Sequence, residues 1–388
     1  MFDFDTAIDR RGSHCAKWDM MRAVYGVAPE DGIAMWVADM DFAAPPAVNA
    51  ALAAAARHGV HGYFGDDRAY KASITGWMAE RHGWAVEPGW ILTTHGLVAA
   101  TALCVQVFSQ PGDGVILFTP VYHAFHRVIG ANARRIVEAP LVEDAGRYRM
   151  DLEALALRLT GRERMVILCS PHNPGGRVWE AGELRALAGF CGAHDLLLVS
   201  DEIHHDLVLG PARHVAMPLA APDIAHRLVM LTATTKTFNI AGAHVGNVII
   251  ADPRLRARFQ AGLLAAGSSP NHLGMLMATA AYEDGAGWLD ALRPYLAENA
   301  KVFDQGVNAI PGLRSMPLEA TYLAWVDFSG TGMDREAFTA RVEKTARIAA
   351  NHGTTFGAGG ESFLRFNIAA PRARIEEAVR RLREAFAP

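Results

Sequence analysis

The stretch LTATTKTFNIAG, residues 231–242, places a single lysine, Lys236, after an apolar run and before a turn. No other Lys, Arg, Asp or Glu lies between Leu228 and Ala251, and the chain has only five lysines. An ammonium group that is buried without a partner costs free energy. Lys236 therefore either reaches solvent or has a specific role inside the folded protein.

The apolar run before Lys236 is one of four similar runs. They are GVILFTP (114–120), MVILCSP (165–171), LLLVSDE (196–202) and LVMLTATT (228–235). Short apolar runs bounded by polar residues are typical of strands buried on both faces. Residues 96–108 and 181–195 have the pattern of helices between them. This alternation predicts an α/β fold with a mostly parallel sheet covered by helices.

Each of the four predicted strands ends in polar residues. In open α/β sheets, ligands bind in the crevice outside the carboxyl ends of the strands. Polar groups that are distant in sequence, including Asn173, Asp201 and Lys236, should therefore meet in one crevice. We expect Lys236 to lie in that crevice and not on the solvated outside.

Length and composition set the broader limits. The chain has 388 residues, a length that favours two lobes. Its formal net charge of −4 gives no electrostatic signature of nucleic-acid or membrane binding. Four scattered cysteines fit a reducing compartment, and the N-terminus lacks the apolar core of a signal peptide. A cytoplasmic protein is expected. The predicted segments are an arm (1–45), a large domain (46–287) and a small α+β domain (288–388), with helices over 288–305, 334–350 and 373–386.

The predicted crevice has the groups that pyridoxal 5'-phosphate (PLP) requires. A desolvated lysine becomes nucleophilic toward carbonyls such as the PLP aldehyde. Asp201 could hold the pyridine nitrogen, Asn173 could donate to the ring oxygen, and Tyr122 could cover the ring. Residues 94–101 (THGLVAAT) place glycine at a strand-to-helix turn, where a phosphate would be stabilised.

The ordered set SPHNPGG (170–176), SDEIH (200–204) and TTKTFNIAG (234–242) resembles the fold-type-I PLP enzymes of the class I/II aminotransferase superfamily. Other stretches look like its cystathionine β-lyase, or C–S lyase, branch, and the similarity covers nearly the full chain. They are RRGSHCAKWD (10–19), MWVADMDF (35–42), HGVHGY (58–63), TPVYHAF (119–125), TYLAWVDF (321–328) and FLRFNIAAPR (363–372). The resemblance implies the aspartate aminotransferase fold.

The resemblance also implies a role for each matching residue. Lys236 would bind the cofactor covalently and, once displaced by substrate, take the Cα proton. Asp201 would keep the pyridine nitrogen protonated, and Asn173, with His204, would address the ring oxygen. Tyr122 would lie against the ring.

The remaining roles concern the phosphate and the substrate. Arg365 would bind the α-carboxylate of an amino acid substrate, and Tyr63 would reach the phosphate of a neighbouring subunit in a homodimer. The groups that would hold the phosphate within the same chain are Gly96, Leu97, Val98 and Thr235. The implied reaction is α,β-elimination of cystathionine or an S-alkyl cysteine to thiol, pyruvate and ammonia.

Three positions depart from the family pattern. His244 stands where many aminotransferases have a phosphate-binding arginine, and Ala233 replaces a common serine. The phosphate would therefore depend more on Tyr63 and the helix end. His61 stands where the lyases often have an aromatic residue. Transamination remains an alternative, because elimination and transamination use the same residues around the cofactor.

Two further alternatives belong to other classes. Residues 200–206 (SDEIHHD) could bind a divalent metal for hydrolysis, with Glu202, His204 and Asp206 on one face of a strand. That hypothesis leaves Lys236 unexplained, and H-E-x-x-H is absent. The chain could also be a catalytically silent PLP-fold protein that only binds partners.

Overall fold

The computed structural model describes residues 2–387. Met1 and Pro388, at the ends of the first and last predicted segments, lie outside the described residues. The strands are β1 Ile33–Ala34, β2 Ile91–Thr94, β3 Gly114–Thr119, β4 Arg135–Pro140, β5 Val142–Asp144, β6 Arg147–Arg149, β7 Glu163–Cys169, β8 Leu197–Asp201, β9 Leu228–Thr232, β10 Gly246–Ile249, β11 Arg314–Ser315, β12 Leu323–Asp327, β13 Ile348–Ala349, β14 Asn351–His352 and β15 Phe363–Asn367.

The α-helices alternate with these strands along the chain. They are α1 Ala16–Asp19, α2 Met21–Tyr25, α3 Pro46–His58, α4 Arg68–His82, α5 Leu97–Phe108, α6 His123–Ala131, α7 Leu152–Ala156, α8 Ala181–Ala193, α9 Met217–Ala220, α10 Thr234–Thr237, α11 Pro253–Ala265, α12 His272–Asp284, α13 Ala286–Asn308, α14 Arg335–Ala340 and α15 Arg372–Ala385. None of the described helices combines the length and the apolar character that crossing a bilayer requires.

Seven strands form the large sheet, in the order β2-β10-β9-β8-β7-β3-β4. All of them are parallel except β10, which runs antiparallel to β2 and β9. Alternate residues of β3 enter two apolar clusters: Val115 and Leu117 pack in one, and Ile116 and Phe118 pack in the other. Burial of both faces explains why these strands are continuously apolar, and the predicted α/β architecture is confirmed.

A second, antiparallel sheet has the order β11-β12-β15-β14. The N-terminal arm reaches this part of the chain, because β1 pairs in parallel with β13. The chain division at residues 46 and 288 remains a prediction.

Two predicted element boundaries were wrong. The helix expected over 334–350 ends with a π-helical turn at Arg341–Thr345, because Ile348–Ala349 is drawn into pairing with β1. The strand expected to run through residue 235 ends at Thr232, and Thr234–Thr237 forms a helical turn. That turn places Thr235 and Lys236 beyond the carboxyl edge of the sheet.

Candidate active site

The carboxyl ends of the parallel strands surround a cavity of about 520 Å³. Nine of the predicted site residues line it: Gly96, Leu97, Val98, Tyr122, Asn173, Asp201, His204, Thr235 and Lys236. They come from the ends of β2, β3, β7, β8 and β9, so the predicted convergence is observed. Arg365 and Tyr63 do not line the cavity.

Lys236 is positioned by the short helix α10 and lies partly exposed in the cavity wall. Its Nζ donates to the carbonyl oxygen of Ala38 at 2.5 Å. Tyr322 Oη donates to the same carbonyl at 3.0 Å. Burial lowers the pKa of Lys236 to about 8, although Asp39 and Asp201 oppose the shift. The neutral, nucleophilic form of this amine is therefore more populated near neutral pH than it is for an ordinary lysine.

Asp201, the last residue of β8, has a buried carboxyl group. Its Oδ1 accepts from the Ile203 backbone N–H at 3.2 Å, and no Lys or Arg nitrogen within residues 2–387 lies within 4 Å of it. Burial raises the pKa of Asp201 to about 7, and neighbouring Glu202 adds to the effect. A cationic ring nitrogen in the cavity would supply the missing positive charge.

Arg365 lies behind the cavity on β15, with only 2% of its surface exposed. Its guanidinium donates to Asn173 Oδ1 at 3.0 Å, Asn351 Oδ1 at 2.6 Å and the Trp36 carbonyl at 2.8 Å. Nε has no partner among the described residues, and no carboxylate of that range lies within 4 Å. Burial lowers the pKa of Arg365 to about 10. The site therefore holds a buried cation without an anion, which suits a substrate carboxylate.

Asn173 connects Arg365 to the cavity. Its Oδ1 accepts from Arg365, so its amide N–H groups remain available to a ligand. His204 is also buried in the cavity wall, and its Nδ1 has no hydrogen-bond partner among residues 2–387. Both side chains can therefore address a polar atom of a bound group.

Tyr122 is half-buried at the start of α6, where its ring packs edge-on against Phe125 at a centroid distance of 5.5 Å. Burial raises its pKa. The aromatic ring in the cavity wall is available to cover a flat ligand.

The N-terminus of α5 borders the cavity on another side. Gly96 is the N-cap of this helix and has φ +84°. Residues with a Cβ atom rarely adopt this conformation, so glycine suits the position. The helix N-terminus, with Leu97, Val98 and Thr235, presents donors and a positive dipole end to an anion. Ala233 is buried and adds no hydroxyl group.

Two histidines flank this helix end. The ring of His244 stacks on that of His95, with centroids 5.3 Å apart and planes at 17°. Both line the cavity. His244 was singled out from the sequence as a replacement for arginine, whereas His95 was missed, although it immediately precedes the critical glycine.

Arg127 in α6 also lines the cavity and was not predicted. No motif in the sequence distinguishes it from a surface arginine. Its place five residues after Tyr122 brings it to the same wall only because α6 begins at His123.

Tyr63 is fully exposed in the segment between α3 and α4, and His61 in the same segment is also exposed. Tyr63 therefore contributes nothing to the cavity of its own chain. Its predicted contact with the phosphate of a second subunit remains a prediction.

The expected single face of Glu202, His204 and Asp206 was wrong. Strand β8 ends at Asp201, and residues 203–206 form a turn, so the strand alternation does not continue. His204 faces the cavity, whereas Glu202 and Asp206 form hydrogen bonds elsewhere. The proposed ligand set for metal-dependent hydrolysis is therefore not assembled.

The family model described as aminotransferase class I and II matches residues 30–382. The chain belongs to this family. Cystathionine beta-lyase PatB of Bacillus subtilis is 38% identical to this chain, and the alignment covers 99% of the chain and 100% of PatB.

Two solved structures of PLP-containing relatives extend the comparison. Cystalysin from Treponema denticola, which contains PLP, superposes with a TM-score of 0.95 at 35% identity, covering 99% of this chain and 98% of cystalysin. The PLP-bound C–S lyase from Staphylococcus hominis gives 0.91 at 29% identity, covering 100% of this chain and 99% of the lyase. The cavity fits the same cofactor, because it offers a reactive lysine, a carboxyl group without a counter-ion and a helix N-terminus for the phosphate.

Proposed function

We propose that this chain is a PLP-dependent C–S β-lyase that cleaves sulfur-substituted amino acids, such as cystathionine or S-alkyl cysteine, to a thiol, pyruvate and ammonia. One observation carries the proposal. Lys236 and Asp201 line one cavity, and Arg365, a cation without an anion, is attached to its wall through Asn173. The similarity to cystathionine beta-lyase PatB and to the C–S lyase from Staphylococcus hominis supports elimination as the reaction.

When bound, PLP supplies an electron-accepting ring conjugated to the substrate Cα. Lys236 would hold the cofactor and then remove the Cα proton, a role for which a pKa of about 8 is suited near neutral pH. The Cβ–S bond breaks with its electron pair going to sulfur, which takes up a proton. Hydrolysis of the remaining three-carbon fragment gives pyruvate and ammonia.

Asp201 would remain ionised beside the pyridine nitrogen and keep that nitrogen protonated. The positively charged ring nitrogen would oppose the upward shift that burial imposes on the pKa of this carboxyl group. Asn173 and His204 would address the ring oxygen, and Tyr122 would cover the ring. The N-terminus of α5, with Gly96, Leu97, Val98 and Thr235, would hold the phosphate.

Arg365 would bind the substrate α-carboxylate. Its guanidinium group already donates to three neutral oxygen atoms. The substrate would supply the negative charge that no carboxylate of residues 2–387 provides. This contact orients Cα toward Lys236 and fixes which end of the amino acid reacts.

The proposed assembly is a homodimer in which Tyr63 completes the phosphate site of the partner. Its full exposure in the single chain supports this role, because a tyrosine ring normally buries much of its surface. The proposed compartment is the cytoplasm, which the four free cysteines support.

A product assay tests the reaction. The PLP-loaded protein is incubated with cystathionine, and separately with S-methylcysteine, without an added keto acid. Pyruvate and thiol formed in equal amounts over many turnovers are expected. Conversion of the cofactor to its amine form, with at most one substrate consumed per site, would establish transamination instead.

A further inference from the structure

The turn after β8 sends two adjacent histidines to different sites. His204 lines the candidate active site, whereas His205 lines a separate cavity of about 230 Å³ together with His82, Asp206 and His214. None of the described residues lines both cavities. The second cavity therefore needs its own explanation.

His205 is the unusual member of this cluster. Only 2% of its surface is exposed, and neither ring nitrogen has a hydrogen-bond partner among residues 2–387. Its Nε2 lies 3.2 Å from Asp206 Oδ2, and its ring stacks on that of His82 with centroids 4.1 Å apart. Nδ1 is therefore a buried nitrogen without a partner among these residues, and Nε2 has only the contact with Asp206, so the ring can bind a further ligand.

The cluster is short of positive charge. Glu202 and Asp206 are both buried, and no Lys or Arg nitrogen of the described chain lies within 4 Å of either. Buried carboxylates are normally paired with a cation or coordinated to a metal ion.

The geometry brings together one ligand atom from each of His82, His205 and Asp206, all within 4.8 Å of one another. His82 Nε2 lies 2.8 Å from Asp206 Oδ1. An ion at about 2.0–2.2 Å from all three atoms would require the stacked rings of His82 and His205 to rotate so that their nitrogens point to one position. We propose that His82, His205 and Asp206 bind a divalent transition-metal ion of the Zn²⁺ type, which would fasten the end of α4 to the turn after β8.

A second set, Glu202, His205 and His214, has equally close atoms. We favour the first set because all three of its members line the cavity, whereas Glu202 does not. Both carboxylates already accept hydrogen bonds, Asp206 from Trp77 Nε1 and Thr237 Oγ1 and Glu202 from Ser200 Oγ and the Met217 backbone N–H, so the cavity lining alone separates the two sets.

Three arginines also line the cavity, and they do not exclude a cation. Arg81 forms a two-pronged salt bridge with Asp290, with both N–O distances at 2.9 Å. Arg293 Nε donates to the Val208 carbonyl at 3.0 Å, and Arg213 is exposed. Nitrogen and carboxylate ligands in a set of three, with a fourth position open to the cavity, suit Zn²⁺.

The test is Zn²⁺ binding to the PLP-loaded protein after removal of metals with a chelator, measured by equilibrium dialysis and metal analysis. About one ion per chain is expected, with an increase in Tm, because an ion that binds only the folded state stabilises it. His205→Asn and His82→Asn should each weaken binding at least about 10–100-fold, a loss typical of damage to a metal site. The visible absorbance of the lysine-bound cofactor reports whether each variant is folded.

His194→Asn is the matched control, because His194 is exposed at the end of α8 and outside the cluster. Its Zn²⁺ binding should equal that of the wild type. Substoichiometric binding to the wild-type protein would overturn the proposal. So would equal binding by folded His205→Asn protein, which would show adventitious surface sites only.

Discussion

Arg365 Nη1 donates to Asn173 Oδ1 at 3.0 Å, although the two residues are 192 positions apart in sequence. Asn173 follows β7 of the large sheet, and Arg365 belongs to β15 of the second sheet. This hydrogen bond therefore connects the proposed binding residue for the substrate carboxylate, Arg365, to the proposed contact of the cofactor ring, Asn173. Changes at either residue should affect both substrate binding and the position of the cofactor.

Arg365→Lys should lower kcat/KM for S-substituted cysteines by about 10–100-fold, chiefly through KM. Lysine keeps the charge but loses the forked donor geometry, and a hydrogen bond to a charged group contributes about 1.5–3 kcal/mol. Steady-state kinetics measure the effect. With a substrate whose α-carboxylate is converted to an amide, the kcat/KM values of wild type and variant should differ much less. An equally large difference with the amide would mean that Arg365 contributes through packing alone.

Asp201→Asn should stabilise the cofactor-free protein in a pH-dependent way. The carboxyl of Asp201 has a pKa raised to about 7 in the folded chain, against 3.8 ordinarily, so the folded state binds the extra proton between these values. Its contribution to stability is therefore full below pH 4 and is lost as pH rises toward 7. At pH 7 the variant should gain up to about 4 kcal/mol, since one pKa unit corresponds to about 1.4 kcal/mol.

Denaturant unfolding of the cofactor-free proteins at several pH values measures this difference. The gap between wild type and Asp201→Asn should widen from pH 4 to pH 7, while the exposed Asp223→Asn control follows the wild type. A gap that is constant with pH would show that Asp201 is not a desolvated carboxyl group. In the loaded protein the same variant should bind PLP more weakly.

Tyr63→Phe should weaken PLP retention without changing the stability of the chain itself. Tyr63 is fully exposed, so its hydroxyl group has no intrachain contact to lose. The expected effect is about 10-fold or more on cofactor dissociation, as for one hydrogen bond to a phosphate. Dialysis of the loaded protein followed by cofactor absorbance measures it.

Val60→Ala is a matched control in the same segment, because Val60 is also exposed. It should retain the cofactor as well as the wild type does. Equal retention by Tyr63→Phe and Val60→Ala would mean that the Tyr63 hydroxyl group does not reach a phosphate.

The central sheet and most of the cavity could be predicted from the sequence. Buried parallel strands are apolar runs, and their polar ends, such as Asp201 and Lys236, must meet at one edge. The separation of His204 from His205 could not be predicted, because it depends on where β8 stops and the turn begins.

Contacts between residues distant in sequence also could not be predicted from the sequence pattern. The pairing of β13 with β1 interrupts a run that reads as helix, because tertiary pairing overrides local propensity. The bond between Arg365 and Asn173 joins two sheets, and nothing local to either residue indicates it. Arg127 reaches the cavity through the direction of α6 alone.

The most direct test of the account is Lys236→Ala, measured by pyruvate release from an S-substituted cysteine and by the visible absorbance of the lysine-bound cofactor. Lys301→Ala, at an exposed position of α13, is the control. We predict that Lys236→Ala loses the absorbance band and at least about a thousandfold in turnover, whereas Lys301→Ala keeps both. Turnover and absorbance near the wild-type level in Lys236→Ala would contradict the central claim that this amine carries the chemistry.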